Sequence, residues 1–304
     1  MTGTLGNAAG DVLVVGGTGH LGAKVVEALQ ARGKNVRALV RPGSDATALE
    51  ATSVRIIRGD MLDPASLDLA MAGVDAVVTS AAGYTGHTEG DTADIDIIGN
   101  ANLAEAAQRA GVRRFVLTSI LTCDQTPQVP HFWHKKLAED RLAELGVPFV
   151  ALRPGAFLDQ LSDMGGDQFA QRQLTWFGST STPLTFVLTS DLAGYLADAV
   201  DAEGVDGQRI DIGWDRPVSI DGLAELVAQV VQEPVTVNSI PLPPVDAASD
   251  SDESGANDMV AMMRYFTTGR YVADTSRQAE VFGTAPEAAD AVNRLLAQLG
   301  HLPR

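Results

Sequence analysis

Cysteine is nearly missing from this chain. A single thiol, Cys123, can form no intramolecular disulfide, which suits a reducing compartment, and the expected location is cytoplasmic. Positive charge is also scarce. Lys and Arg number 22 against 39 Asp and Glu, a formal net charge of −17. A nucleic-acid partner needs a basic stripe, and an anionic membrane attracts the same kind of surface. Neither is expected as a partner, and the acidic balance reads as solubility. No run of about 18 apolar residues is present to span a bilayer. Residues 1–10 carry neither the basic segment nor the apolar core of a signal peptide. Several catalytic signatures are missing too. There is no GxSxG elbow for a serine nucleophile and no GxxxxGK[ST] phosphate loop. His131, His134 and Cys123 are the candidate metal ligands, but no carboxylate cluster or paired-cysteine spacing accompanies them, so no metal is expected.

What is present begins at Asp11. A short apolar run, Val12-Leu13-Val14-Val15, reads as a buried parallel strand. It breaks into Gly16-Gly17-Thr18-Gly19-His20-Leu21-Gly22 and then opens a helix over 21–31. Strand, glycine turn and helix together form a dinucleotide pyrophosphate site. Gly16 makes the tight turn, Gly19 lets the backbone approach the phosphates, and Gly22 lets helix and strand pack closely. The first helical N–H groups face the anion. Thr18, His20 and Leu21 line the same turn. The spacing is GxxGxxG, not the GxGxxG of most dehydrogenases.

Strands and helices then alternate. Strands are expected at 12–15, 36–40, 54–57, 76–80, 115–119 and 149–152, and helices at 21–31, 46–50, 64–72, 92–110 and 134–145. Pro64 behind Asp63 reads as a first-turn proline behind an N-cap aspartate. The rhythm predicts an α/β fold, a Rossmann-type doubly wound parallel sheet, with ligands beyond the C-terminal strand ends. After Leu152 it loosens. Strands are expected at 186–188 and 209–212, and helices at 191–200, 220–231, 259–267 and 285–299. The acidic stretch 249–258 reads as a loop or a lid. With 304 residues, 45% of them apolar, one large core is affordable. Residues 1–155, rejoined by 186–215, form the expected dinucleotide-binding core. Residues 156–185 and 216–304 form a smaller substrate lobe.

The second strand selects the nucleotide. NAD enzymes place a carboxylate at its end to accept from the ribose 2′-hydroxyl. Here Val40 holds that place, with Arg41 beside it and Ser44 nearby. An arginine fork suits a 2′-phosphate, so NADP(H) is the expected cofactor. Asp60 and Met61, after the third strand, lie where adenine would bind; Asp60 is either an adenine contact or a cap on its own loop. Ala81 and Ala82, after the fourth strand, let a cofactor approach the backbone.

Together GGTGHLG at 16–22, ALVR at 38–41, RGDMLD at 58–63 and FVLTS at 115–119 resemble the short-chain dehydrogenase/reductase superfamily, in its extended and atypical branch. HKKLAEDRLAELGVPFVALRPGAF at 134–157, TSDLA at 189–193 and RPVS at 216–219 extend the likeness. It is closer to NmrA-like and isoflavone-reductase-like proteins, which include triphenylmethane-dye and quinone reductases. It runs from about residue 11 to 295 and implies a fold and a cofactor more strongly than a substrate.

The superfamily's usual site is Ser, Tyr and Lys: tyrosine gives the proton, lysine lowers its pKa, and serine orients the carbonyl. By resemblance Ser119 holds the serine position and Lys135 the lysine position, where lysine binds the nicotinamide ribose or, in the isoflavone-reductase-like branch, does acid–base work. Four residues before Lys135 stands His131 where tyrosine is usual. An imidazole can pass a proton near neutral pH, so His131 is either a replacement donor or a pocket wall. Direct hydride transfer to a cationic dye or quinone needs no protein acid. Tyr84, Phe132, Trp133, Phe157 and Trp176 are the candidate substrate-pocket residues. The resemblance implies an NADPH-dependent reductase of a small or mid-sized apolar acceptor (a quinone, enone, aromatic carbonyl or dye), acting as a monomer or homodimer. The alternative is a dinucleotide-binding redox sensor without turnover. A nucleotide-sugar epimerase fits less well without the tyrosine.

Overall fold

In the computed structural model, residues 10–83, 93–164, 166–243 and 254–302 are described. The apolar run at Asp11–Val15 forms β1. It sits in the interior of a seven-stranded parallel sheet with β2 (Asn35–Val40), β3 (Arg55–Arg58), β4 (Val74–Thr79), β5 (Arg114–Thr118), β6 (Phe149–Pro154) and β10 (Gln208–Ile212). The order β10-β6-β5-β4-β1-β2-β3 reverses direction between β1 and β4. That reversal is the point at which an open parallel sheet parts its connections and leaves a crevice at the strand ends. Strands buried on both faces read as continuous apolar runs, which is why β1 and β5 were legible.

Helices cover both faces. On one lie α1 (His20–Ala31) and α6 (Thr189–Asp198). Leu21, Val25, Val26 and Leu29 of α1 are buried, the i, i+4 stripe of an amphipathic helix. On the other lie α3 (Pro64–Met71), α4 (Asn100–Ala110) and α5 (Pro130–Glu144), which close over Leu13, Val77, Phe115 and Phe149. Asp63 caps α3 by accepting from Ala65 N–H at 3.1 Å, with Pro64 in the first turn. A four-residue helix, α2 (Thr47–Glu50), links β2 to β3.

Several elements differ from expectation. The helix expected over 134–145 starts at Pro130, because proline suits the first helical position; this brings His131 onto the same helix as Lys135. The helix expected over 92–110 is a π-helical turn at Asp94–Gly99 followed by α4; Thr92 lies outside the described residues. Ser254–Phe266 is helical, α8, so the second half of the stretch expected to be a loop is not one, and Asp258 there is buried. The chain also holds β7 (Ala156–Phe157), β9 (Phe186–Val187), α7 (Ile220–Val231), α9 (Ser276–Phe282) and α10 (Ala288–Gln298), together with β8 (Gln173–Phe177) and β11 (Thr236–Ile240). Strands β8 and β11 pair in parallel and escaped the sequence pattern, since β11 is mostly exposed and polar.

Phe132 and Trp176 are core residues, contrary to their expected place on a pocket wall. Phe132 lies 5.8 Å from Tyr271 and 6.4 Å from Tyr265, ring centre to ring centre. Trp176 stacks on Phe266 at 6.2 Å, and Phe266 meets Tyr271 at 4.6 Å. The apolar surface of these rings is used on one another, as aromatic clusters in cores commonly do.

Candidate functional site

At the crevice between β1 and β4 the chain turns through Gly16, whose φ of +89° is open to glycine alone at little cost. A Cβ on Gly16 would come within 2.8 Å of the Ala81 nitrogen and 2.9 Å of Ser80 Oγ. A Cβ on Gly22 would lie 2.0 Å from the Gly16 carbonyl oxygen. The turn is closed by Gly19 N–H donating to Gly16 C=O at 3.0 Å. Gly19 is the N-cap of α1, with no side-chain cap and no acidic residue in the first turn. That leaves an electropositive helix end facing the crevice. Ser80 Oγ is buried there without a hydrogen-bond partner among the described residues. An uncapped helix end, a turn that excludes side chains and an orphaned hydroxyl fit a pyrophosphate. Thr18 and His20 are exposed on the turn, and Leu21 is buried beneath it. Lys24 Nζ lies 2.9 Å from His20 Nε2 and 3.1 Å from Asp159, and also meets Thr189. The glycine turn is thereby tied to the segments that carry Asp159 and Thr189.

Arg41 follows β2 and is exposed. Its carbonyl accepts from Ser44 N–H at 3.1 Å. Arg58, which the sequence did not flag, donates to the Ser44 carbonyl at 2.9 Å and holds this loop. Asp60 accepts from Leu62 N–H at 2.9 Å, the loop-capping alternative of its two readings. Met61 is buried in the core. Ala82 is exposed and Ala81 half-buried beside Gly16.

Lys135 is buried. Its ammonium donates to Ala81 C=O at 2.9 Å and lies 2.7 Å from Asp96 Oδ1. Asp96, 1% exposed, also accepts from Gly83 N–H at 3.2 Å. It sits in the π-helical turn, a feature frequent at functional sites. The lysine is thus anchored to the segment that packs on the glycine turn.

Ser119 has a different setting. Its hydroxyl donates to Glu139 Oε1 at 2.6 Å. Glu139, fully buried, also accepts from Arg153 at 2.9 and 2.7 Å and from Arg209 at 2.8 Å. The serine's proton is committed to that carboxylate, so the structure does not offer it to a substrate carbonyl. The expectation that Ser119 orients a substrate is corrected accordingly. Cys123 lies in the same network, 3.5 Å from Glu139. Burial, with the Glu139 charge, pushes its thiol up to about 12. Because the thiolate is the reactive form, native Cys123 is expected to resist a thiol-disulfide reagent at pH 8 and to react within seconds once the chain is unfolded; a colorimetric thiol assay with and without denaturant checks this.

His131 Nδ1 is 2.7 Å from Asp258 Oδ1, both side chains at most 5% exposed. Trp133 is half-buried under the Lys136 ammonium, 5.3 Å from its ring centre. Phe157 packs, partly buried, toward the α1–α6 side of the sheet. Tyr84 lies outside the described residues. Among the described residues no group of three His, Cys, Asp or Glu side chains could hold a metal, and no helix is long and apolar enough to cross a membrane.

The profile of the NmrA-like family matches residues 9–286. The chain belongs to the NmrA-like family. Relatives within reach of this NmrA-like chain differ in what they do. The photosystem II assembly factor Ycf39 of Synechocystis sp. is 28% identical over 232 residues, 76% of this chain and 71% of that one. The NAD(P)H azoreductase of Xenophilus azovorans is 26% identical over 232 residues, 76% of this chain and 77% of that one. Among solved structures, the NADPH-dependent quinone oxidoreductase QOR2 of Escherichia coli, complexed with NADPH, superposes with a TM-score of 0.76 at 21% identity, covering 95% of this chain and 99% of that one.

Proposed function

We propose that this NmrA-like protein is an NADP(H)-dependent reductase of a small or mid-sized apolar acceptor. The observation that carries the reading is the buried Lys135 ammonium, held against the backbone of the same crevice into which the uncapped end of α1 opens. A nicotinamide bound there supplies a hydride. Gly16, Gly19 and Gly22 admit the pyrophosphate, and the N–H groups at the start of α1 hold it. Arg41 meets the 2′-phosphate from a loop that Arg58 keeps in shape. Lys135 donates to Ala81 and is held as an ion pair by Asp96, and a remaining ammonium proton serves the ribose. The NAD(P)H azoreductase among the relatives supports the acceptor class.

The test is NADPH consumption by the purified protein across quinones, enones, aromatic ketones and triarylmethane dyes, with NADPH affinity measured in parallel. Turnover of at least one acceptor is expected. Arg41→Ala is expected to weaken NADPH binding roughly 10- to 100-fold, the range of a lost charge-assisted hydrogen bond, and to leave NADH binding within about twofold. Equal losses for both nucleotides would remove Arg41 from the 2′-phosphate. A second reading, dinucleotide binding without turnover, is favoured by the assembly factor among the relatives. Tight NADPH binding with every acceptor inert would select it.

A further inference from the structure

His131 has a buried carboxylate from a distant part of the chain within hydrogen-bond distance of one ring nitrogen. Asp258 is 127 residues away, on α8 of the lobe. An ionised carboxylate only accepts hydrogen bonds. At 2.7 Å, the proton in this contact therefore belongs to Nδ1. That fixes the tautomer and makes Nε2 the acceptor nitrogen of the neutral ring. The Phe132 ring meets the imidazole near perpendicular, 4.7 Å centre to centre. One turn along the same face of α5 lies Lys135, anchored at the crevice.

We propose that Asp258 is the positioning residue for His131, and that the pair occupies the usual tyrosine position as a histidine–carboxylate dyad whose Nε2 delivers the proton to a reduced acceptor. The inference rests on the reductase reading. In the step it describes, the acceptor C=O loses its π bond, gains hydride at carbon from the reduced nicotinamide, and gains the Nε2 proton at oxygen. His131 is left neutral and is reprotonated by water. Asp258 stabilises the imidazolium before transfer and holds the ring in one orientation, the two services a buried carboxylate gives a catalytic histidine.

The first test needs no cofactor. In protein labelled with ¹⁵N-histidine, long-range ¹H–¹⁵N correlation spectra report the tautomer of each ring, and His131→Phe identifies the signal. The native chain is expected to show Nδ1 protonated. Asp258→Asn is expected to shift the signal toward the Nε2–H tautomer, and Asp258→Glu to restore it in part. With an acceptor in hand, Asp258→Asn should lower kcat about 100-fold with KM for NADPH within twofold, and Asp258→Glu should recover part of kcat. Thermal melts of both variants distinguish misfolding from loss of the dyad. An Nε2–H tautomer in the native protein overturns the proposal, as does turnover that Asp258→Asn leaves unchanged. Native protein that turns over no acceptor sinks the reductase reading, while the spectra still decide whether Asp258 fixes His131.

Discussion

Replacing Gly22 with alanine is expected to abolish NADP(H) binding and to destabilise the fold by several kcal/mol. In an ordinary helix the same change stabilises by about 1 kcal/mol, because alanine is the better helix former. Here the sign inverts. The added Cβ would lie 2.0 Å from the Gly16 oxygen, 2.6 Å from its carbonyl carbon and 2.9 Å from Gly17 Cα. All three are backbone atoms, so no rotamer relieves the overlap; α1 must move away from the turn. Overpacking alone costs about 1–3 kcal/mol, and more where backbone shifts. The turn that closes through Gly19 and Gly16 is displaced with it. A rise of at least 100-fold in the NADPH dissociation constant, about 2.7 kcal/mol, is expected by titration calorimetry. Gly194→Ala is the internal control: in α6 its Cβ would meet only the end of the Arg32 side chain at 3.8 Å, and a stability gain of about 0.5–1 kcal/mol is expected. If Gly22→Ala binds NADPH like the native chain, the glycine turn is not the pyrophosphate site.

The second large effect concerns the pair inside the site. Lys135→Met and Asp96→Asn are each expected to destabilise the protein by about 3–5 kcal/mol, since each strands a buried charge. The side chains are 6% and 1% exposed, so water does not compensate. Asp96→Asn keeps an oxygen for the Gly83 N–H and keeps the shape, which makes it a test of charge. The double variant is expected to be more stable than the sum of the singles implies, by about 1–3 kcal/mol, because neither charge is then left alone. Urea denaturation of the four proteins measures the coupling. Single variants within about 0.5 kcal/mol of the native chain would mean that the ion pair holds nothing together. Lys135→Met is also expected to lose turnover, whereas a pure dinucleotide-binding regulator would lose stability alone.

Much of this architecture was legible because its signals are local. Buried parallel strands are apolar throughout, their helices start and stop at prolines, caps and glycines, and the first turn follows from close backbone approach. The residues that define the site chemistry were less so. Asp96 lies inside the apolar run Ile95–Ile98 and Asp258 beside Met259, and periodicity cannot say which carboxylate in such a run will be buried against a cation. The partner of His131 is set by how α8 docks, a tertiary event. Ser119 occupied the expected strand end, but the Glu139 charge claimed its hydroxyl. The aromatic residues were predicted apolar and are; whether they wall a cavity or fill a core depends on packing that composition does not encode.

The strand order carries a consequence for synthesis. β1 leaves the ribosome first and meets β2 within a few tens of residues, but its other edge waits for β4, at Val74–Thr79. From there the neighbours run one way: β5 lies beside β4, β6 beside β5, and β10 beside β6. The sequence of emergence and the spatial sequence therefore coincide on this half of the sheet. Until Gln208–Ile212 arrives, every intermediate along that path presents a bare, apolar strand edge to its surroundings. A nascent chain halted before that strand is the form of this protein most in need of a chaperone.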